Sequence, residues 1–168
     1  NHTEDTTSPN MTNFQLNMNY NQTQAQLTLN FDEPIDASTV SATELYIQKA
    51  ANVSNANDYH QLTGGSVSTT DGKQITIVLT ETDTANIKLK DQLAIDQAST
   101  YLRFATAFAK DMNGRSIVAK TNAAPLQTSN HTEDTTSPNM TNFQLNMNYN
   151  QTQAQLTLNF DEPIDAST

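Results

Sequence analysis

Along residues 14–20, Phe14, Leu16, Met18 and Tyr20 alternate with Gln15, Asn17 and Asn19. A period of two sends alternate side chains to opposite faces, so this stretch predicts a strand with one buried face. Asn21-Gln22-Thr23 breaks the pattern as a turn. Ala25, Leu27, Leu29 and Phe31 then alternate with Gln24, Gln26, Thr28 and Asn30 in a second strand. The segment 31–39, FDEPIDAST, reads as a loop broken by Pro34. Leu45 and Ile47 alternate with Tyr46 and Gln48 in a third strand, and 50–65 reads as a loop ending at Gly64-Gly65. Val67 falls in a short strand before Asp71-Gly72, a hairpin-turn dipeptide. Ile75, Ile77 and Leu79 alternate with Thr76, Val78 and Thr80 in the next strand. Ile87, Leu89, Leu93 and Ile95 within 81–95 suggest a short helical crossover. Residues 101–104 form a strand, Lys110 to Gly114 a turn, and Ile117-Val118 and Leu126 two further short strands. About seven short strands with regular turn signals predict an all-β fold, a two-layer immunoglobulin-like β-sandwich.

The pattern restarts. Residues 130–168 repeat residues 1–39 letter for letter, a period of 129 residues. That is the length of a domain, not of a solenoid unit. Four segments follow: a polar linker at 1–10, a complete repeat at 11–129, a second linker at 130–139, and the first hairpin of the next repeat at 140–168. An isolated hairpin is marginal in water. Something must therefore cover the apolar face of the second copy, either further repeats in the same chain or strands from another.

Composition narrows the function. The chain has no cysteine, so no disulfide holds the fold. No apolar run is long enough for a membrane span. The formal net charge of −10 is unevenly placed. Residues 1–39 carry Glu4, Asp5, Asp32, Glu33 and Asp36 with no Lys or Arg, whereas 40–129 carry eight acidic and eight basic groups. With no basic patch to neutralise phosphates, nucleic acid is not an expected partner.

Three stretches point to a family. LTLNFDEPIDASTVSATELYI (27–47), TYLRFATAFAKDMNGRSI (100–117) and DTTSPN (5–10) resemble the corresponding segments of S-layer-type bacterial Ig-like tandem repeat domains. The resemblance implies a sandwich used as a spacer or building block in surface layers, adhesins and secreted matrix proteins, without catalytic residues. The sequence departs from that family in a long 48–65 segment and in polar faces rich in Asn and Gln.

Strand order places the 32–36 loop at the pole where the linker enters, near Glu4 and Asp5. The turn at 110–114 is expected there too, bringing Asp111, Lys110 and Arg115. Glu4, Asp5, Asp32, Glu33, Asp36 and Asp111 are thus candidate oxygen ligands for calcium. The competing reading makes them solvated turn acids, or neutralises them with Lys110 and Arg115. Sequons at Asn1, Asn10, Asn21 and Asn52, with copies at Asn130, Asn139 and Asn150, are candidate glycosylation sites. An Asn- and Thr-rich chain also generates such triplets by composition alone.

Enzyme chemistry has little footing. His2 and its copy His131 lie in linkers, and His60 reads as a surface residue of a polar loop with no Ser or Cys motif beside it. The chain therefore reads as a non-catalytic, extracellular structural or adhesive array, with neighbouring identical repeats as partners and no cofactor beyond candidate calcium. The outward amides of the first hairpin suit either an ordinary solvated sheet face or hydrogen-bonded ladders between neighbouring domains or chains, as in a filament. The alternative is a module binding a glycan or surface protein through the 48–65 loop.

Overall fold

The first hairpin forms as the alternation predicts. In the computed structural model, which describes residues 6–150 and 152–164, β1 spans Met11–Asn17 and β2 spans Gln26–Ile35. They pair antiparallel with Leu16 opposite Leu27 and Phe14 opposite Leu29. The apolar face is buried, and Phe14, Leu27 and Leu29 are wholly inaccessible. Tyr20 departs from the expectation: it follows the strand and is exposed. Asn21 organises the turn, its Oδ1 accepting from the backbone N–H groups of Thr23 and Gln24.

β2 does not stop before Pro34. It runs on to Ile35 after a break in register, and Ile35 is buried opposite Gly72 and Asp111. The irregularity accommodates Pro34, which has no N–H for a regular ladder. Beyond it, Asp36 caps a short 3-10 turn at Ala37–Thr39.

The remaining elements are β3 (Leu45–Gln48), β4 (Tyr59–Gln61), β5 (Ser66–Val67), β6 (Gly72–Val78), α1 (Glu81–Lys88), β7 (Tyr101–Phe104), β8 (Leu126–Gln127) and β9 (Asn130–Thr132). One sheet has the order β5-β6-β2-β1-β9 and another β4-β3-β7-β8. Both contribute to a single core: Phe14, Leu29 and Ile77 from the first, Ile47, Leu102 and Phe104 from the second. The fold is mostly β, and α1 is the short helix expected within 81–95.

Three expectations are corrected. The 50–65 stretch carries β4 and buries His60 and Leu62, so it is not simply a loop. Ile117-Val118 is not a strand; Ile117 is buried through a bond from its N–H to the Ala109 carbonyl, between isolated bridges at Ser116 and Lys120. The segment 130–139 is not linker throughout, because Asn130–Thr132 forms β9.

The chain divides into two units, Asn1–Asp134 and Thr135–Thr168. The second is a hairpin of β10 (Met140–Asn146) and β11 (Gln155–Phe160). Its register copies the first, Leu145 opposite Leu156 and Phe143 opposite Leu158. Its apolar face is open: Phe143 is 65 % exposed, whereas Phe14 is 0 % exposed.

Candidate functional site

The closing strand of the first unit, Asn130–Thr132, copies residues 1–3. β9 lies parallel to β1, with Gln15, Leu16 and Asn17 opposite Asn130, His131 and Thr132. The seam is extended at both ends, by Ser129 N–H on the Phe14 carbonyl at 2.8 Å and by Met18 N–H on the Thr132 carbonyl at 2.9 Å. The Ser129 hydroxyl also donates to the Phe14 carbonyl, at 2.9 Å. His131 Nε2 donates to the Ala94 carbonyl at 2.8 Å. Lys88 Nζ, in the last turn of α1, meets Asp134 at 2.6 Å. His131, expected in a linker, is thus one clamp of the closing strand.

The acidic residues are brought together only in part. Asp36 N–H bonds the Lys110 carbonyl and Ile35 bridges Asp111, so the 32–36 segment and the 110–114 turn do meet. Their carboxylates, however, mainly serve nearby N–H and O–H groups. Asp32 Oδ1 accepts from Asn10 N–H at 2.7 Å, and Asp36 Oδ1 from Ser38 N–H and hydroxyl. Asp111 Oδ1 accepts from the N–H groups of Asn113 and Arg115, both at 2.8 Å, while its buried Oδ2 has no partner among the described residues. Glu33 is half-buried. Glu4 and Asp5 lie outside the described residues. Among those described, no three acidic or histidine side chains converge as a metal site.

The described sequons divide by environment. Asn21, Asn52, Asn130, Asn139 and Asn150 are exposed, Asn130 within β9. Asn10 is half-buried, with its Oδ1 enclosed. Asn1 lies outside the described residues, as does His2.

The second sheet carries a groove of about 480 Å³ lined in part by Tyr46, Arg103, Lys120 and Asn122. The Arg103 guanidinium lies 4.1 Å from the centre of the Tyr46 ring and 5.1 Å from that of Tyr59. Such stacking holds a planar cation by its attraction to the ring faces. Asn122 fastens the adjoining 48–65 segment, accepting from Gln48 Nε2 at 3.1 Å and from Val53 N–H at 3.2 Å while donating to the Val53 carbonyl at 2.8 Å. Lys90 Nζ donates to the carbonyls of Ala56 and Tyr59. The segment is therefore tied down along its length.

His60 is not a surface residue. Its Nε2 lies 2.8 Å from Asp83 Oδ1, and the Asp83 side chain is inaccessible. Asp83 also accepts from Thr63 N–H, at 3.1 and 3.0 Å to its two oxygens, and from the Thr63 hydroxyl. Burial pushes its carboxyl up, but the hydrogen bonds with His60, Thr80 and Thr63 outweigh that and hold it below 3.8. This cluster binds β4 and its loop to α1. Sequence reasoning missed it, although Thr80 and Asp83 at the spacing of a capping pair were a legible helix start.

No family model, curated protein or solved structure matches the chain.

Proposed function

We propose that this protein is an extracellular structural array whose Ig-like units serve as spacers or building blocks of a surface layer, matrix or filament. The observation that carries this reading is the parallel β1–β9 seam. The chain enters the first unit at the start of β1 and leaves it after β9. Because the two strands run in the same direction, tension between the ends loads their hydrogen bonds along the strands, all together. An antiparallel terminal pair would instead be peeled apart one bond at a time. The 129-residue period adds that every repeat would close its predecessor in this way, so strain passes through a paired sheet and not through a bare tether. The exposed sequons at Asn21, Asn52, Asn130, Asn139 and Asn150 agree with an extracellular setting.

The test is single-molecule extension from the two termini. The first unit should rupture in one event, at a distinctly higher force than in the variant Ser129→Pro, which lacks the N–H that bonds Phe14. Equal rupture forces would remove the seam from the account.

A second reading has one observation of its own. The groove beside the pinned 48–65 segment offers the Tyr46 ring, the cations of Arg103 and Lys120 and the amide of Asn122, chemistry suited to a sugar face and its hydroxyls. A glycan-array signal lost in Tyr46→Ala would favour an adhesin module. A blank array would leave the groove without that role.

A further inference from the structure

The first unit places two cations in one groove of an otherwise acidic chain. Eight Lys and Arg residues stand against eighteen Asp and Glu. Yet the groove on the second sheet is lined by Arg103 and Lys120 and, among the described residues, by no carboxylate. Arg103 lies on β7 opposite Tyr46 of β3, and the Phe104–Lys120 bridge sets Lys120 beside the end of the same strand. Neither cation meets an Asp or Glu among the described residues, whereas Lys49 holds Asp58 and Lys88 holds Asp134. Stacking on Tyr46 and Tyr59 fixes the guanidinium of Arg103 but leaves its charge uncompensated. Its Nε is enclosed and has no hydrogen-bond partner among the described residues. Two like charges kept in one partly shielded groove repel each other, and a bound anion relieves that repulsion.

We propose that this groove takes a carboxylated sugar, its acid group held by Arg103 and Lys120; the proposal rests on the glycan reading of the groove and names the class of glycan. A planar guanidinium meets the two oxygens of a carboxylate with parallel N–H donors, and the ammonium of Lys120 adds a point charge. Thr106 and Thr121, also in the lining, are exposed and offer hydroxyls to those of a sugar ring. Most of the Asn122 amide is already engaged by Gln48 and Val53. Charge, more than amide pairing, therefore selects the ligand. The volume of about 480 Å³ lies within the range of about 300–1,000 Å³ usual for small-molecule sites. A net charge of −10 repels polyanions from the chain at large, so their attraction is confined to this groove.

The experiment screens the full 168-residue chain against oligosaccharides of galacturonate, glucuronate and sialate, each beside the methyl ester of the same compound. The ester keeps the ring and its hydroxyls and removes the charge. Acid forms should bind, and their esters at least about tenfold more weakly, because a charge-assisted hydrogen-bonded pair is lost. In titration calorimetry with the tightest-binding acid, Arg103→Gln should abolish binding and Lys120→Gln should weaken it severalfold. Arg103→Lys, which keeps the charge but not the planar fork, should fall between the parent and Arg103→Gln. Thermal melting checks that each variant folds, and Lys120→Gln carries the test if the loss of the stacked Arg103 unfolds the sheet. Equal binding of acid and ester would overturn the proposal while leaving the groove a glycan site. Binding of neither would remove both readings. Acid binding that survives Arg103→Gln and Lys120→Gln would place the site elsewhere and overturn the proposal as well.

Discussion

At the scale of single residues, the firmest electrostatic feature is Asp83, an acid with no solvent contact at the head of a helix. Its carboxylate suits the helix N-terminus and has His60 and Thr63 as partners. Because its folded-state value lies below 3.8, the unfolded chain takes up the proton first as the solution is acidified. The stabilisation is therefore complete above the ordinary carboxylate range and drains away as pH falls through the lowered value. Asp83→Asn should flatten this part of the acid limb in melting experiments against pH. At neutral pH it should cost about 2 kcal/mol, since the Thr63 N–H would lose a charged acceptor. An unchanged acid limb would show that the carboxylate is not what binds the helix to β4. None of this was legible beforehand, because Asp83 and His60 stand 23 positions apart and each alone looks like a solvated polar residue.

At the scale of elements, the hairpin was the most readable part of the chain. Alternation over β1 and β2 identified both strands and their buried faces, since one periodicity is repeated twice across a turn rich in polar residues. The strand beyond Pro34 and the non-strand at Ile117 were misread for one reason: short apolar stretches are decided by the neighbour they meet, not by their own pattern. The first sheet carries an amide chain of its own, within the unit and not between neighbouring domains or chains as the filament reading needs. Asn30 Nδ2 donates to Asn13 Oδ1 at 2.8 Å, and Gln74 Nε2 to Asn30 Oδ1 at 3.1 Å, tying β1, β2 and β6 across one face. Gly65, read only as a turn residue, has a stricter role. Its φ is +146°, and an added Cβ would stand 2.9 Å from both the Val78 carbonyl oxygen and Ile77 Cγ2. Gly65→Ala should therefore destabilise the first unit by at least about 1 kcal/mol in denaturant titrations. A neutral result would mean that β5 can move off β6 freely.

At the scale of the whole molecule, the 129-residue period and the first unit overlap: Asn130–Thr132, which copy residues 1–3, form the last strand of a unit that closes at Asp134. Calcium belongs to this scale too. The 32–36 and 110–114 segments meet as the strand order implied, yet Asp32, Asp36 and Asp111 serve turns and nearby N–H groups, acceptor roles that need no ion. A chelator should leave the melting temperature unmoved. A fall of several degrees would mean that these carboxylates hold a cation after all.

Local periodicity determined the β-rich character of this chain, the two faces of its hairpins and the recurrence of the pattern after 129 residues. These are properties of neighbours along the chain, and side-chain alternation reports them directly. Tertiary structure alone decided that His60 and Asp83 meet, that the 48–65 segment is pinned, and that β9 runs parallel to β1. Each joins residues far apart in sequence, where the choice of partner depends on which groups the folded core leaves to be satisfied.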